Sequence, residues 1–134
     1  MQIKRKTHNK EIIRGKKNFQ FLNSGILGVK TISSGRLIES NWITIKRDLY
    51  KKIKFICGGN RCKLWNSIEF NNTLTKLSTE SRMGKGKGSI YANSKFIREG
   101  KVIIEFSQIP KHKHKELLSF LQKKLSLKIK LIHL

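Results

Sequence analysis

WITIKRDLYKKIKFI, residues 42–56, predicts the clearest helix of the chain. Its apolar residues follow steps of three and four, which puts them along one side of a helix: Trp42, Ile45, Leu49, Ile53 and Ile56. Ser40 or Asn41 is expected to cap the start of this helix, and Gly58 and Gly59 are expected to end it.

The rest of the chain predicts a second helix and several strands. The second helix should begin at Pro110, because proline suits the first turn of a helix, and it should bury Leu117, Leu118, Phe120, Leu121 and Leu125. Short apolar runs predict strands at residues 19–22, 26–32, 63–70, 96–97, 102–106 and 127–132. A turn at Asn23-Ser24-Gly25 should join the first two strands in a hairpin. Two helices among strands that do not alternate with them indicate an α+β fold with a mainly antiparallel sheet.

We divide the 134 residues into a basic amino-terminal arm, residues 1–18, and a single α+β domain, residues 19–134. Residues 71–89 contain few apolar side chains and are predicted to form a long polar loop, which in a compact domain is functional or disordered. Glu105 lies within a predicted strand, and we expect it to be a structural partner for a basic group rather than a catalyst.

The net charge narrows the classes of partner that the protein can be expected to bind. Thirty Lys and Arg face eight Asp and Glu, which gives a formal charge of +22. Such an excess repels itself in a compact protein, and a polyanion that releases counterions on binding is its usual explanation. Because 37% of the residues are hydrophobic, the chain is not merely a disordered basic tail. No stretch is apolar for long enough to predict a membrane span.

Few residues of the chain are candidates for catalysis, metal binding or disulfide formation. Cys57 and Cys62 are too few for a disulfide scaffold or a four-ligand zinc site, and we expect free thiols in a reducing compartment. His112 and His114 are two residues apart and do not share a helix face, so neither a metal site nor a ribonuclease pair is indicated. We expect no catalytic residue, no metal and no cofactor.

RMGKGKG, residues 82–88, is the most informative motif. Glycine at every second position leaves the backbone unrestrained and free of bulk, while Arg82, Lys85 and Lys87 supply cations that can reach phosphates. The spacing fits neither a Walker loop nor a dinucleotide-binding fingerprint. The residues alone leave two interpretations open, a contact with nucleic acid and a solvated flexible loop. They also leave open a free-standing basic RNA-binding regulator, and less readily a cationic membrane-active protein.

The same heptapeptide resembles the signature of the ribosomal protein L16 family at all seven positions. The resemblance extends without gaps to the end of the chain through Gly100-Lys101-Val102, Glu105, Ile109-Pro110 and Lys124-Leu125. Upstream it is weaker, at Gly35-Arg36-Leu37 and the basic arm, and residues 56–61 look like a small insertion. The resemblance implies a structural, non-enzymatic component of the large ribosomal subunit that binds rRNA and helps to form the A site near the peptidyl-transferase centre.

The resemblance also implies roles for individual residues. The loop that contacts tRNA and rRNA would consist of Arg82, Met83, Gly84, Lys85, Gly86, Lys87 and Gly88. The residues that bind rRNA would be Lys4, Arg5, Lys6, His8, Lys10, Arg14, Lys16, Lys17, Arg36, Lys46 and Arg47. The partners would be large-subunit rRNA, tRNA in the A and P sites and neighbouring ribosomal proteins. We expect no membrane partner and no homo-oligomer.

Composition adds an expectation about location. Lys, Ile and Asn, which have A/T-rich codons, are abundant, whereas Ala92 and Pro110 are the only residues of their types. This bias is typical of organelle genomes and reduced bacteria. The basic arm begins within four residues of Met1, which leaves no room for a cleavable presequence. We therefore expect an organelle-encoded protein of the mitochondrial ribosome in the matrix, with a plastid or the bacterial cytoplasm as alternatives.

Overall fold

The computed structural model of the chain describes residues 5–7, 20–58 and 62–134. Two helices and seven strands lie in these ranges. In chain order they are β1 Leu27–Thr31, β2 Gly35–Ile38, α1 Glu39–Ile56, β3 Leu64–Asn66, β4 Asn72–Lys76, β5 Ser89–Ile97, β6 Val102–Phe106, a 3₁₀ turn at Lys111–Lys113, α2 His114–Lys124 and β7 Ile129–His133. None of the described helices is long and apolar enough to cross a membrane.

The strands form two antiparallel sheets. The larger sheet has the order β3-β6-β1-β7, and the smaller sheet has the order β2-β5-β4. Helix α1 contacts β2 and β5, while α2 contacts β7. Buried side chains of both sheets and both helices belong to one hydrophobic core. The predicted α+β class is therefore confirmed, with two sheets where one was expected.

Helix α1 confirms the predicted apolar side. Its buried residues are the five predicted ones, Trp42, Ile45, Leu49, Ile53 and Ile56. The predicted cap is wrong, because the helix begins at Glu39 directly after β2 and its cap position is Ile38, with no side-chain hydrogen bond. Ser40 and Asn41 lie inside the first turn, where they cannot act as caps.

Helix α2 follows Pro110 after a 3₁₀ turn, and of its own residues it buries Leu117 and Leu121. Leu125 is buried just beyond the helix, and Leu118 and Phe120 pack partly against the core. Two ion pairs join α2 to α1: Lys52 with Glu116, and Lys124 with Asp48 at 3.1 Å. Hydrogen bonds from Lys52 and then Lys113 lower the pKa of the Glu116 carboxyl.

The predicted hairpin at residues 19–32 is wrong. Residues 20–26 contain no strand, and β1 instead pairs with β6 on one side and β7 on the other. The backbone N–H groups of Asn23, Ser24 and Gly25 donate to the carboxylate of Glu105, at 3.1, 2.7 and 2.8 Å. Glu105 is only 3% exposed, and its partners among the described residues are backbone N–H groups of a distant turn, where we had expected a basic group.

Several predicted boundaries also change. The strand predicted at 63–70 is limited to β3, residues 64–66, and the strand predicted at 96–97 begins at Ser89. The polar loop predicted at 71–89 contains β4, whose polar sequence NTLTK is held by pairing with β5. The loop therefore covers residues 77–88. The strand at 102–106 is confirmed, and the final strand lies at 129–133.

The two cysteines are not free thiols. Cys57 ends α1 and is bonded to Cys62 in a disulfide, with the Cα atoms 6.6 Å apart. Cysteine count and compartment favoured thiols, but neither reports the distance between the two Cα atoms, which is within the span of a disulfide. The bond closes the segment that we expected to be an insertion.

We predict that Glu105→Ala lowers the free energy of unfolding by about 3 kcal/mol, because it leaves the N–H groups of residues 23–25 without their charged acceptor. Urea unfolding followed by tryptophan fluorescence measures the loss. Glu80→Gln, which changes an exposed carboxylate, is the control and should remain within about 0.5 kcal/mol of the parent. A Glu105→Ala protein as stable as the control would show that this anchor contributes nothing.

We predict that the denatured, unreduced protein takes up no iodoacetamide, whereas reduction exposes both Cys57 and Cys62 to labelling. Dithiothreitol should lower the stability of the parent by about 2 kcal/mol, the entropic value for so short a loop. The same reagent should leave the Cys57→Ser/Cys62→Ser variant unchanged. Mass spectrometry counts the labels. Two labels on the unreduced protein would show that both cysteines are free thiols, as the sequence predicted.

Candidate nucleic-acid interface

The heptapeptide lies in the loop that joins β4 to β5. These strands form an antiparallel hairpin in which Asn72 pairs with Ser94 and Lys76 pairs with Ser89. The glycine-rich loop, residues 77–88, is the connection beyond that last pair. It is therefore carried by the smaller sheet, and β5, the central strand of this sheet, holds its base in place.

Glycine is required in this loop for two different reasons. Gly84 and Gly86 have φ angles of +90° and +97°, which side-chain-bearing residues rarely adopt. Gly88 has an ordinary φ, but a Cβ there would lie 2.3 Å from the carbonyl oxygen of Lys76. The first two glycines shape the tip, and Gly88 lets the chain close tightly against β4.

The charged side chains of the glycine-rich loop are turned to solvent. Arg82, Lys85 and Lys87 are exposed, and Met83 is 95% exposed. Among the described residues, no carboxylate forms an ion pair with these three cations. The tip therefore presents concentrated positive charge with little side-chain bulk, which suits close approach to a phosphate backbone.

The other predicted rRNA-binding residues that the structure describes lie at the smaller sheet or on α1. Arg36 is exposed on β2, with its guanidinium 5.9 Å from the ring of Phe96. Arg5 and Lys6 are exposed, and the carbonyl of Arg5 accepts a hydrogen bond from Thr73 on the edge strand β4. Lys4, His8, Lys10, Arg14, Lys16 and Lys17 fall outside the described residues.

Helix α1 carries the remaining predicted cations and several residues that the sequence did not single out. Lys46 is half-buried with its Nζ 6.0 Å from the ring of Tyr50, and Arg47 is exposed. Further cations at Lys51 and Lys54 share the exposed side. The missed aromatic residues of α1 and β5 that are exposed are Tyr50, Phe55 and Tyr91. Their only sequence signal is that they fall outside the apolar pattern of their element.

Among the described residues, the contacts of the histidines are separate from the ion pairs of the carboxylates. No cluster of three metal-ligating side chains occurs among the described residues. The ring of His114 packs 4.9 Å from that of His133, and its Nε2 lies 3.0 Å from the carbonyl oxygen of Ile109. What the described surface offers is positive charge, exposed aromatic rings and a bare glycine backbone, a combination that binds nucleic acid.

Comparison with known proteins agrees with this surface. The family model of ribosomal protein L16p/L10e matches residues 2–132. The chain belongs to the ribosomal protein L16p/L10e family. L16p/L10e proteins are structural ribosomal components and not enzymes, so the expected structural role in the large ribosomal subunit is confirmed.

Two relatives show how far the likeness to L16p/L10e proteins extends. The chain is 38% identical over 130 residues to the large ribosomal subunit protein uL16m of Chondrus crispus, covering 96% of this chain and 94% of the relative. It is 32% identical over 98 residues to the uL16 protein of Blochmanniella pennsylvanica, covering 73% and 69%. The expected likeness to the mitochondrial form is thus confirmed.

Proposed function

We propose that this protein binds large-subunit rRNA and holds its glycine-rich loop beside tRNA in the A site, near the peptidyl-transferase centre. The observation that carries the proposal is the loop itself. It is exposed, carries three cations that pair with no described carboxylate, and has the family's complete heptapeptide. Positive charge at a glycine tip can follow a phosphate backbone more closely than a side-chain-covered surface can.

The proposed rRNA anchors lie around the same sheet. Arg36 on β2, Arg5 and Lys6 beside β4, and the pair Lys46 and Arg47 on α1 would neutralise rRNA phosphates. The arm at residues 1–18, as a unit distinct from the domain at 19–134, would add Lys4, His8, Lys10, Arg14, Lys16 and Lys17. Each neutralised phosphate releases counterions, so the anchors supply affinity while the loop supplies position.

We place the protein in the mitochondrial ribosome, encoded by the organelle's own genome. The support is the identity with the uL16m relative, which spans nearly all of both chains, whereas the bacterial likeness covers less. The A/T-rich codon bias of the composition points the same way. Its partners there would be large-subunit rRNA, tRNA and neighbouring ribosomal proteins.

We predict that Lys85→Ala/Lys87→Ala co-sediments with large subunits as fully as the parent, while accommodation of A-site tRNA slows severalfold. The exposed loop cations take no part in the core, so their loss should spare assembly but weaken the tRNA contact. Gradient sedimentation in moderate salt measures the first effect, and single-turnover dipeptide formation measures the second.

Deletion of residues 1–18 is the matched comparison, because it should impair assembly more than the loop variant does. An assembly block from the loop variant equal to that of the deletion would contradict this division of roles. A parent protein recovered only in the unbound fraction of the gradient would instead indicate the free-standing regulator.

A further inference from the structure

A cleft of about 430 Å³ opens between the start of α1 and the strand β5. We name it the α1–β5 cleft, and its lining residues are Ile38, Glu39, Ser40, Ile43 and residues 90–93. Two of its lining side chains are apolar and open to solvent, Ile43 at 60% exposed and Tyr91 at 58%. Large apolar groups exposed at the rim of a concavity mark a binding surface more often than isolated exposed ones do.

The cleft also contains a fixed polar pair. The amide of Asn93 donates from Nδ2 to Oε2 of Glu39 at 2.6 Å, which joins β5 to the first turn of α1. This hydrogen bond orients both side chains and sets the carboxylate and the amide carbonyl of Asn93 as acceptors at the wall of the cleft. A ligand with N–H donors could hydrogen-bond to these acceptors, and a flat apolar face on the same ligand could pack against Ile43 and Tyr91.

The surrounding charge indicates what kind of molecule carries that face. Lys46 and Arg47 follow Ile43 by one turn of α1, so cations lie just beyond the cleft. Glu39 is the only carboxylate among the lining residues. A cleft with both apolar and hydrogen-bonding side chains, and with cations outside it, matches a nucleotide, whose base is flat and polar at its edge and whose phosphate is negative.

We propose that the α1–β5 cleft receives one unpaired nucleotide of rRNA, which deepens the rRNA binding proposed above and rests on it. The base would stack on Tyr91 and contact Ile43, and its phosphate would meet Lys46 or Arg47. Glu39 would accept a hydrogen bond from an exocyclic amino group, which adenine, cytosine and guanine have. Uracil offers only one N–H in this position, and the Glu39 carboxylate would repel the two carbonyl oxygens on either side of it.

The test titrates the full chain with a hexamer of cytidines that carries one 2-aminopurine, whose fluorescence falls when it stacks. The parent should quench the probe, and Tyr91→Ala should bind about tenfold more weakly with most of the quenching lost. Phe21→Ala is the matched control, since this 84% exposed ring precedes β1 and is not among the residues that line the cleft, and the variant should remain within twofold of the parent.

Salt dependence separates stacking from charge. Tyr91→Ala should keep the parent slope of log affinity against log salt, whereas Lys46→Ala should reduce it by about 0.7 for one lost phosphate contact. Parental binding by Tyr91→Ala would overturn the cleft alone. An unlabelled uridine hexamer that displaces the probe as effectively as an unlabelled cytidine hexamer would overturn the role of Glu39. A parent that binds no hexamer would overturn the cleft together with the rRNA binding beneath it.

Discussion

Electrostatic repulsion among thirty cationic side chains, opposed by only eight carboxylates, is the constraint that the rest of the structure accommodates. Four of those carboxylates are used where separate elements meet. Glu105 holds the turn before β1, Glu116 and Asp48 pair α2 with α1, and Glu39 joins α1 to β5. Only four carboxylates lie elsewhere in the sequence, so most of the thirty cations are left for an external polyanion.

The Glu105 anchor also connects the fold to the proposed function. It binds residues 23–25, the described segment that comes before β1 and follows the basic arm in sequence. At Gly25 a Cβ would lie 2.6 Å from the carbonyl oxygen of Phe106, so this turn can press against β6 only as glycine. A buried charge with three backbone donors thus sets where the chain leaves the larger sheet toward its amino terminus.

The sequence predicted those elements whose buried residues form a regular apolar pattern within a short segment. The five buried residues of α1 and the continuous apolar run of β6 are of this kind. What it could not predict depends on partners far away along the chain. Asn23-Ser24-Gly25 suits a hairpin turn as well as a carboxylate nest, and only contact with Glu105, about eighty residues later, decides between them.

The candidate site was likewise predictable only where its residues are contiguous in the sequence. The heptapeptide identified the glycine-rich loop directly, because its chemistry is contiguous. The strand β4 was missed since its polar residues are ordered by pairing with β5, and the disulfide was missed since spacing does not report the distance between Cys57 and Cys62. The α1–β5 cleft exists only where the start of α1 meets residues 90–93, and no pattern within either segment alone indicates it.

If the fold holds the glycine-rich loop beside A-site tRNA, a reagent attached to this loop should reach that tRNA. A cleavage reagent at Met83, a loop side chain that is 95% exposed, tests this position. Met83→Cys carrying tethered iron–EDTA, assembled into large subunits with tRNA bound in the A site, should cleave that tRNA and the rRNA of the peptidyl-transferase region. Cleavage confined to rRNA remote from both, at sites unchanged by tRNA, would contradict the account.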